Sequence, residues 1–227
     1  MSLAGNLGIA IKDPTRAFRY LFVKMPVFAQ KYVPLDEIFI RQEYKWLYER
    51  IKSNTTLIDI GAYIGDSAIY FCFNQNIKKI LAYELMPNNY NEAKTNLQNL
   101  GLLNNKVYLT NAGVDGVSGT INTDAKHGLD SGTNIDVMKN KGSDTVNIVA
   151  LKDILVGQTN VVIKSDAEGA EHRMFKDADL SQVYAMQIEY HGGIKDLVSL
   201  LKDKGFKTIT DNKTSRCGEG YIYAERA

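Results

Sequence analysis

No apolar run in this 227-residue chain approaches the roughly 20 residues that a membrane-spanning helix needs, so no transmembrane segment is expected. The start lacks the charged-then-apolar layout of a secretory signal, and a cytoplasmic protein is expected. Cysteine is scarce. Cys72 and Cys217 are the two, and neither sits in a CxxC or a His/Cys cluster, so a zinc site has no support. Cys72 falls in an apolar stretch and reads as a small core residue. An excess of one charge is also missing. The formal net charge is +1, which argues against bulk nucleic acid as a partner. The chain has no GK[ST] of a phosphate-gripping loop and no GxGxxG of the dinucleotide enzymes. No internal repeat or low-complexity tract is present.

What is present is ordinary for a globular protein: 44% hydrophobic and 23% charged residues, enough chain for one α/β domain. Residues 1–35 are aromatic-rich and broken by Pro14, Pro26 and Pro34. Asp36 then reads as an N-cap, and Ile40, Tyr44, Leu47, Tyr48 and Ile51 recur at helical spacing, predicting a helix of about four turns. Residues 1–52 hold nine Lys/Arg against five Asp/Glu and are taken as an N-terminal helical appendage. They read either as a lid, or a surface that touches lipid or an acidic partner, or as a packing appendage with a solvated face, and the last is preferred because such a charge bias is common.

From Thr55 onward short β-branched runs alternate with helical patterns. The runs are Leu57–Ile60, Ile80–Tyr83, Val107–Leu109, Val161–Ile163 and Met186–Ile188, with helices expected over Asp66–Phe73, Asn89–Leu100 and Ile194–Lys204. Such alternation predicts βαβ units and a mostly parallel sheet with helices on both faces. Lys207–Thr210 and Tyr221–Ala224 close the chain as an antiparallel hairpin, giving an expected seven-stranded sheet in a Rossmann-like α/β domain over residues 53–227. Residues 113–150 interrupt the alternation and read as a β-hairpin insertion, with runs at Thr120–Asn122 and Val146–Val149 and a mobile tip near Lys126–Ser143.

Chemistry-bearing residues gather where strands end. Leu57–Asp66 is a strand, a glycine turn and a helix start. Gly61 permits close approach by a ligand, and Gly65 allows the turn into the helix, whose free N–H groups face the strand end. NAD, ATP and adenosylmethionine enzymes all use such a loop, so the flanking charge has to choose. Asp59 and Asp66 would repel a pyrophosphate and would suit a ligand carrying a sulfonium and an ammonium group; Asp66 serves equally well as a helix N-cap. Glu84 lies about 20 positions past the glycines at the next strand's end, placed for ribose hydroxyls. Asn111 and the backbone at Ala112, at the third strand's end, border the expected adenine position. The run Lys164–Glu171 leaves a buried strand with three carboxylates, Asp166, Glu168 and Glu171, within six residues. Ser165 and Glu168 also fit a capping box, which accounts for Glu168 but not for three acids and a lysine together.

These motifs resemble the FkbM-type methyltransferases. Asp59–Asp66, Tyr83-Glu84 and Lys164–Glu171 match in order and separation, and the resemblance covers roughly residues 53–226. The family pattern is Asp-x-Gly-Ala-Asn-x-Gly, Phe-Glu-Pro and Leu-Lys-x-Asp-x-Glu-Gly-x-Glu, and this chain departs from it with Tyr63 in place of Asn and Leu85 in place of Pro. The resemblance implies S-adenosylmethionine as cofactor, S-adenosylhomocysteine as product, and O-methylation of a hydroxyl on a sugar, glycan or natural product. Asp59, Gly61, Ala62, Tyr63, Gly65, Glu84, Leu85, Asn111, Ala112 and Asp166 are then the expected cofactor residues. Lys164, Glu171 and Glu189 are expected on the acceptor side.

Methyl transfer needs the acceptor oxygen in line with the methyl group, and an alcohol must also lose a proton. Asp166, Glu168 and His191 are the candidate bases, with His191 at the end of the strand after the acids. His191 reads as well as an exposed loop residue beside Gly192-Gly193. A divalent cation on the carboxylates is conceivable, but no spacing compels it and no metal ligand is assigned. Two other readings stand beside this one: a nicotinamide oxidoreductase on the same fold, and a non-catalytic protein that keeps the adenosyl ligand.

Overall fold

The computed structural model describes residues 36–123, 144–191, 194–211 and 219–226. The expected tip at Lys126–Ser143 lies outside them, as does Cys217. Strand β1 (Thr55–Ile60) is buried along its whole length, as an apolar β-branched run in a parallel sheet should be. It lies between β2 (Ile77–Glu84) and β6 (Val161–Asp166), parallel to both. β3 (Val107–Asp115) extends the sheet beyond β2, and β7 (Val183–His191) extends it beyond β6. β8 (Phe206–Asp211) and β9 (Glu219–Arg226) form the closing antiparallel hairpin, with β9 inserted beside β7.

Among the described residues the sheet has nine strands rather than seven, in the order β4-β5-β3-β2-β1-β6-β7-β9-β8. The two extra strands are the expected hairpin, β4 (Gly119–Thr123) and β5 (Asp144–Ala150). It does not stand apart from the sheet. β5 pairs in parallel with Ala112–Asp115 at the far end of β3, so backbone groups that would have been an open edge are hydrogen-bonded.

Successive side chains on β1 point to opposite faces and build two cores. Leu57 packs with α2 (Asp66–Cys72), α3 (Pro87–Asn99) and residues 38–51. Ile58 and Ile60 pack on the other face with α4 (Leu151–Leu155), α5 (Glu171–Lys176) and α6 (Ile194–Asp203). No helix among the described residues is long and apolar enough to cross a membrane.

The four-turn helix expected after Asp36 is not continuous. A single wide π-turn spans Asp36–Ile40, Gln42 takes φ +56°, and α1 is only Lys45–Tyr48. Packing overrides the helical spacing here. The break lets Phe39 meet Tyr70 and Phe73, at 5.4 and 6.1 Å between ring centroids, while Tyr48 meets Tyr70 at 5.1 Å.

Candidate active site

The glycine turn is held from three sides. Gly61 and Ala62 each donate an N–H to the carbonyl of Tyr83 at 3.0 Å, folding the turn over the end of β2. Lys164 donates to the carbonyls of Gly61 at 2.6 Å and Ile60 at 3.2 Å. Gly61, at φ +71°, lies so close to β6 that a Cβ would stand 2.1 Å from the Asp166 carbonyl oxygen. A close neighbour that requires a glycine here is therefore a strand of the protein itself.

Asp59 and Asp66 lie inside the fold. Asp59 is 0% exposed; its Oδ2 accepts from Ser67 Oγ at 2.6 Å and its Oδ1 stands 3.4 Å from Lys164 Nζ. Asp66 is not the N-cap of α2, because Gly65 at φ +87° holds that place; its Oδ1 instead accepts from the Ser67 amide at 2.8 Å. Burial pushes the Asp66 carboxyl up to about 7. Lys164, expected on the acceptor side, is 3% exposed. Burial disfavours its charge, but Asp59, Asp166, Asp66 and Glu189 together hold the ammonium protonated beyond the ordinary lysine range. It supports the turn from within the sheet.

On the cofactor side Glu84 has a built environment. Its Oε2 accepts the Tyr63 amide at 2.8 Å, and its Oε1 accepts the Met86 amide at 2.8 Å and Asn89 Nδ2 at 3.4 Å. Burial raises its pKa to about 7 against these hydrogen bonds. Tyr63 adopts φ +47°, a left-handed conformation that asparagine takes more readily than a bulky ring. Asn111 Nδ2 donates to the carbonyls of Glu84 at 2.8 Å and Leu85 at 3.0 Å, tying the ends of β2 and β3 together. Leu85 packs beside Ile148 and Ala170, and Ala112 is buried in register with Asn147 of β5.

Across the turn, β6 and β7 end in a carboxylate–histidine rim. His191 Nε2 lies 3.2 Å from Glu168 Oε2, and its Nδ1 lies 3.3 Å from Glu171 Oε1. Glu171 Oε1 also accepts the Gly169 amide at 3.2 Å. Burial opposes the charge on His191, but Glu171, Glu168 and Asp166 outweigh it and carry its pKa up to about 9. At neutral pH the ring is an imidazolium and a poor base. The capping box expected of Ser165 and Glu168 does not form. α5 begins at Glu171, and Ser165 Oγ has no hydrogen-bond partner among the described residues. Burial raises the Asp166 carboxyl, as Glu171 and Asp59 also do, against the pull of Lys164 and His191. Glu189 stands in register with Asp166, and burial together with the Asp166 charge pushes it up to about 7.

Two residues that the sequence did not mark complete this side. Tyr221 of β9 is in register with Glu189, and its hydroxyl, with one proton to donate, stands between Glu189 Oε2 at 3.2 Å and the Glu43 carboxylate. Strand alternation could have placed Tyr221 beside Glu189. Nothing in the spacing marks Glu43, which arrives from the broken segment before α1, where its backbone carbonyl accepts Gln187 Nε2 at 3.1 Å.

The family model for the methyltransferase FkbM domain matches residues 59–208. No curated protein matches the chain significantly in sequence. The FkbM methyltransferase of Methylobacillus flagellatus KT superposes with a TM-score of 0.54 at 15% identity, over 96% of this chain and 60% of that one. A Streptococcus pneumoniae protein described as a candidate tRNA (m1A22) methyltransferase, solved with S-adenosyl-L-methionine, gives 0.51 at 17% identity, over 82% and 72%. The precorrin-6y C5,15-methyltransferase of Geobacter metallireducens GS-15 gives 0.50 at 14%, over 88% and 93%. At these identities the structural likeness establishes a shared fold.

Proposed function

This chain belongs to the FkbM methyltransferase family, and from that premise we propose that it moves the methyl group of S-adenosylmethionine to a hydroxyl oxygen of a small-molecule or glycan acceptor. The observation that carries the reading is that two chemically distinct groups of residues stand at the carboxyl ends of the parallel strands, where open α/β sheets bind ligands in a crevice. Glu84 is fixed beside the glycine turn in one group, and Asp166, Glu168 and His191 form the other at the ends of β6 and β7. Glu84 is the ribose ligand on this reading, and the turn at Gly61–Gly65 carries the methionine part.

In the transfer the sulfonium–methyl bond breaks as the oxygen–methyl bond forms, leaving S-adenosylhomocysteine, and the acceptor proton passes to a base. His191 already holds its proton at neutral pH, so the base is a rim carboxylate, Asp166 or Glu189. The rim is also the reason for preferring an uncharged polyol to nucleic acid. Glu43, Asp166, Glu168, Glu171 and Glu189 gather five carboxylates around Lys164 and His191, a setting that repels a phosphate backbone.

Calorimetric titration tests the cofactor. S-adenosylhomocysteine is expected to bind in the micromolar range and NAD not at all; a folded protein that binds NAD or ignores the adenosyl ligand sinks the reading. The acceptor class is tested with methyl-labelled S-adenosylmethionine offered alongside hydroxylated sugars and total tRNA. Label in the tRNA and none in the sugars overturns the small-molecule assignment.

A further inference from the structure

We infer that Asp166, Glu168 and His191 form a divalent-cation site on the acceptor side of the crevice. The three residues come from the end of β6, the turn after it and the end of β7. Each offers one ligand atom, and all three atoms lie within 4.8 Å of one another. Around an octahedral ion with bonds of about 2.1 Å, neighbouring ligands stand about 3 Å apart and opposite ones about 4.2 Å, so small side-chain adjustments bring this set onto one ion.

Two further observations point to a ligand. The first is Asp166 Oδ1, a carboxylate oxygen buried from solvent with no hydrogen-bond partner among the described residues. An anionic oxygen left bare in the interior is costly, and a cation at the rim would satisfy it. The second is the way His191 is anchored. Its Nδ1 is held by Glu171, a residue only 4% exposed, which leaves Nε2 turned to Glu168. A histidine held by a carboxylate on one nitrogen, with its other nitrogen turned to a carboxylate that can share an ion with it, matches the arrangement of a metal-bound imidazole.

The donor set names the class of ion. Two carboxylates and one imidazole, with no thiolate, suit a hard to borderline divalent cation of the Mg²⁺ or Mn²⁺ type. Three protein ligands leave coordination positions toward the crevice, where acceptor oxygens would bind beside the methyl group. That role rests on the methyltransferase reading, whereas the site itself does not. Glu189, in register with Asp166 and outside the ligand set, would then be the carboxylate left to take the acceptor proton.

Manganese binding is the direct test. Wild-type protein, freed of metal by a chelator and dialysed, is titrated with MnCl2 and followed by electron paramagnetic resonance and calorimetry. One ion per chain is expected. Glu168→Gln and His191→Gln are each expected to weaken binding at least tenfold, while both variants keep S-adenosylhomocysteine binding. Should His191→Gln fail to fold, Glu168→Gln carries the test, since its side chain is the more exposed of the two, 23% against 13%. A wild type that binds S-adenosylhomocysteine but leaves Mn²⁺ as the free aqua ion overturns the cation site and leaves the methyltransferase reading standing. Manganese binding that is unchanged in both folded variants overturns the assignment to these residues.

Discussion

Two buried ionisable residues, Glu84 and Lys164, hold the glycine turn in different ways. Glu84 fixes the turn by accepting the Tyr63 and Met86 amides. Its replacement by alanine leaves two N–H groups without their acceptor and, on the proposed reading, removes the ribose ligand. Glu84→Ala is expected to weaken S-adenosylhomocysteine by about 1.5–3 kcal/mol, roughly ten- to a hundredfold, and calorimetry reads this directly. Unchanged affinity would take Glu84 out of the site. Lys164 acts from inside the sheet, where its ammonium answers Asp59 and two backbone carbonyls. Lys164→Met keeps the length of the stem but strands a fully buried aspartate. Breaking such a pair from one side costs about 3–5 kcal/mol, to be measured by urea unfolding. A variant as stable as wild type would show that the lysine is not what balances Asp59. Tyr63 shows how one position departs from the family pattern without losing the fold. Its left-handed backbone is the conformation an asparagine would favour, yet its amide makes the Glu84 bond whatever the side chain.

Among the elements, residues 36–51 were the least legible in the sequence. Their apolar spacing pointed to one helix, and the structure delivers a π-turn, a left-handed Gln42 and a single turn of α1. The spacing recorded which residues are apolar but not that they pack against separate partners on α2 and β9. Trp46, the sole tryptophan, lies 5.1 Å from the Tyr223 ring of β9, and Arg50 stacks on it at 3.9 Å while pairing with Glu225 at 3.1 Å. Its fluorescence therefore reports docking of this segment on the sheet. Trp46 emission and far-ultraviolet circular dichroism are expected to lose signal at the same urea midpoint. An earlier Trp46 transition would mean that the segment detaches before the sheet unfolds. The strands were easier to read, because their β-branched runs are local signals. β4 and β5 were visible for the same reason, yet their joining the main sheet was not, since the β3–β5 pairing is decided at long range. The site divides in the same way. Glu84, Asp166, Glu168 and His191 could be found because each stands at or just past a strand end. Glu43 meets Tyr221 only through the fold of residues 36–51, which no local spacing encodes.

On the scale of the whole molecule, burial displaces Asp66, Glu84 and Glu189 in one direction, and that direction sets how they make stability depend on pH. Asp66 has an ordinary value of 3.8 and Glu84 of 4.5, and burial lifts both to about 7. Between those limits the folded chain holds protons that the unfolded chain has released. Unfolding then releases protons, so stability is greatest below the ordinary values and is lost as pH rises through about 7. Glu189 moves the same way over nearly the same range, from 4.5 to about 7. His191 extends the loss upward, since its pKa rises from 6.5 to about 9 and the stability it lends is complete below 6.5 and gone above about 9. A tenfold change in the proton affinity of a shielded group carries about 1.4 kcal/mol, so several groups acting together are measurable even after partial solvent screening. The melting temperature of the metal-free protein is therefore expected to fall steadily from pH 5 to pH 9, the reverse of a protein whose carboxylates are stabilised by surface ion pairs. Asp66→Asn keeps an acceptor for the Ser67 amide and removes one titrating group, so it should flatten the fall between pH 5 and 7 and leave the limb above pH 7 in place. A melting temperature that climbs over this interval, or an unchanged slope in Asp66→Asn, would show that these carboxyls are not strained by burial. The crevice would then be wetter than its hydrogen bonds imply, and the carboxylates would lose the raised basicity that the proposed proton transfer draws on.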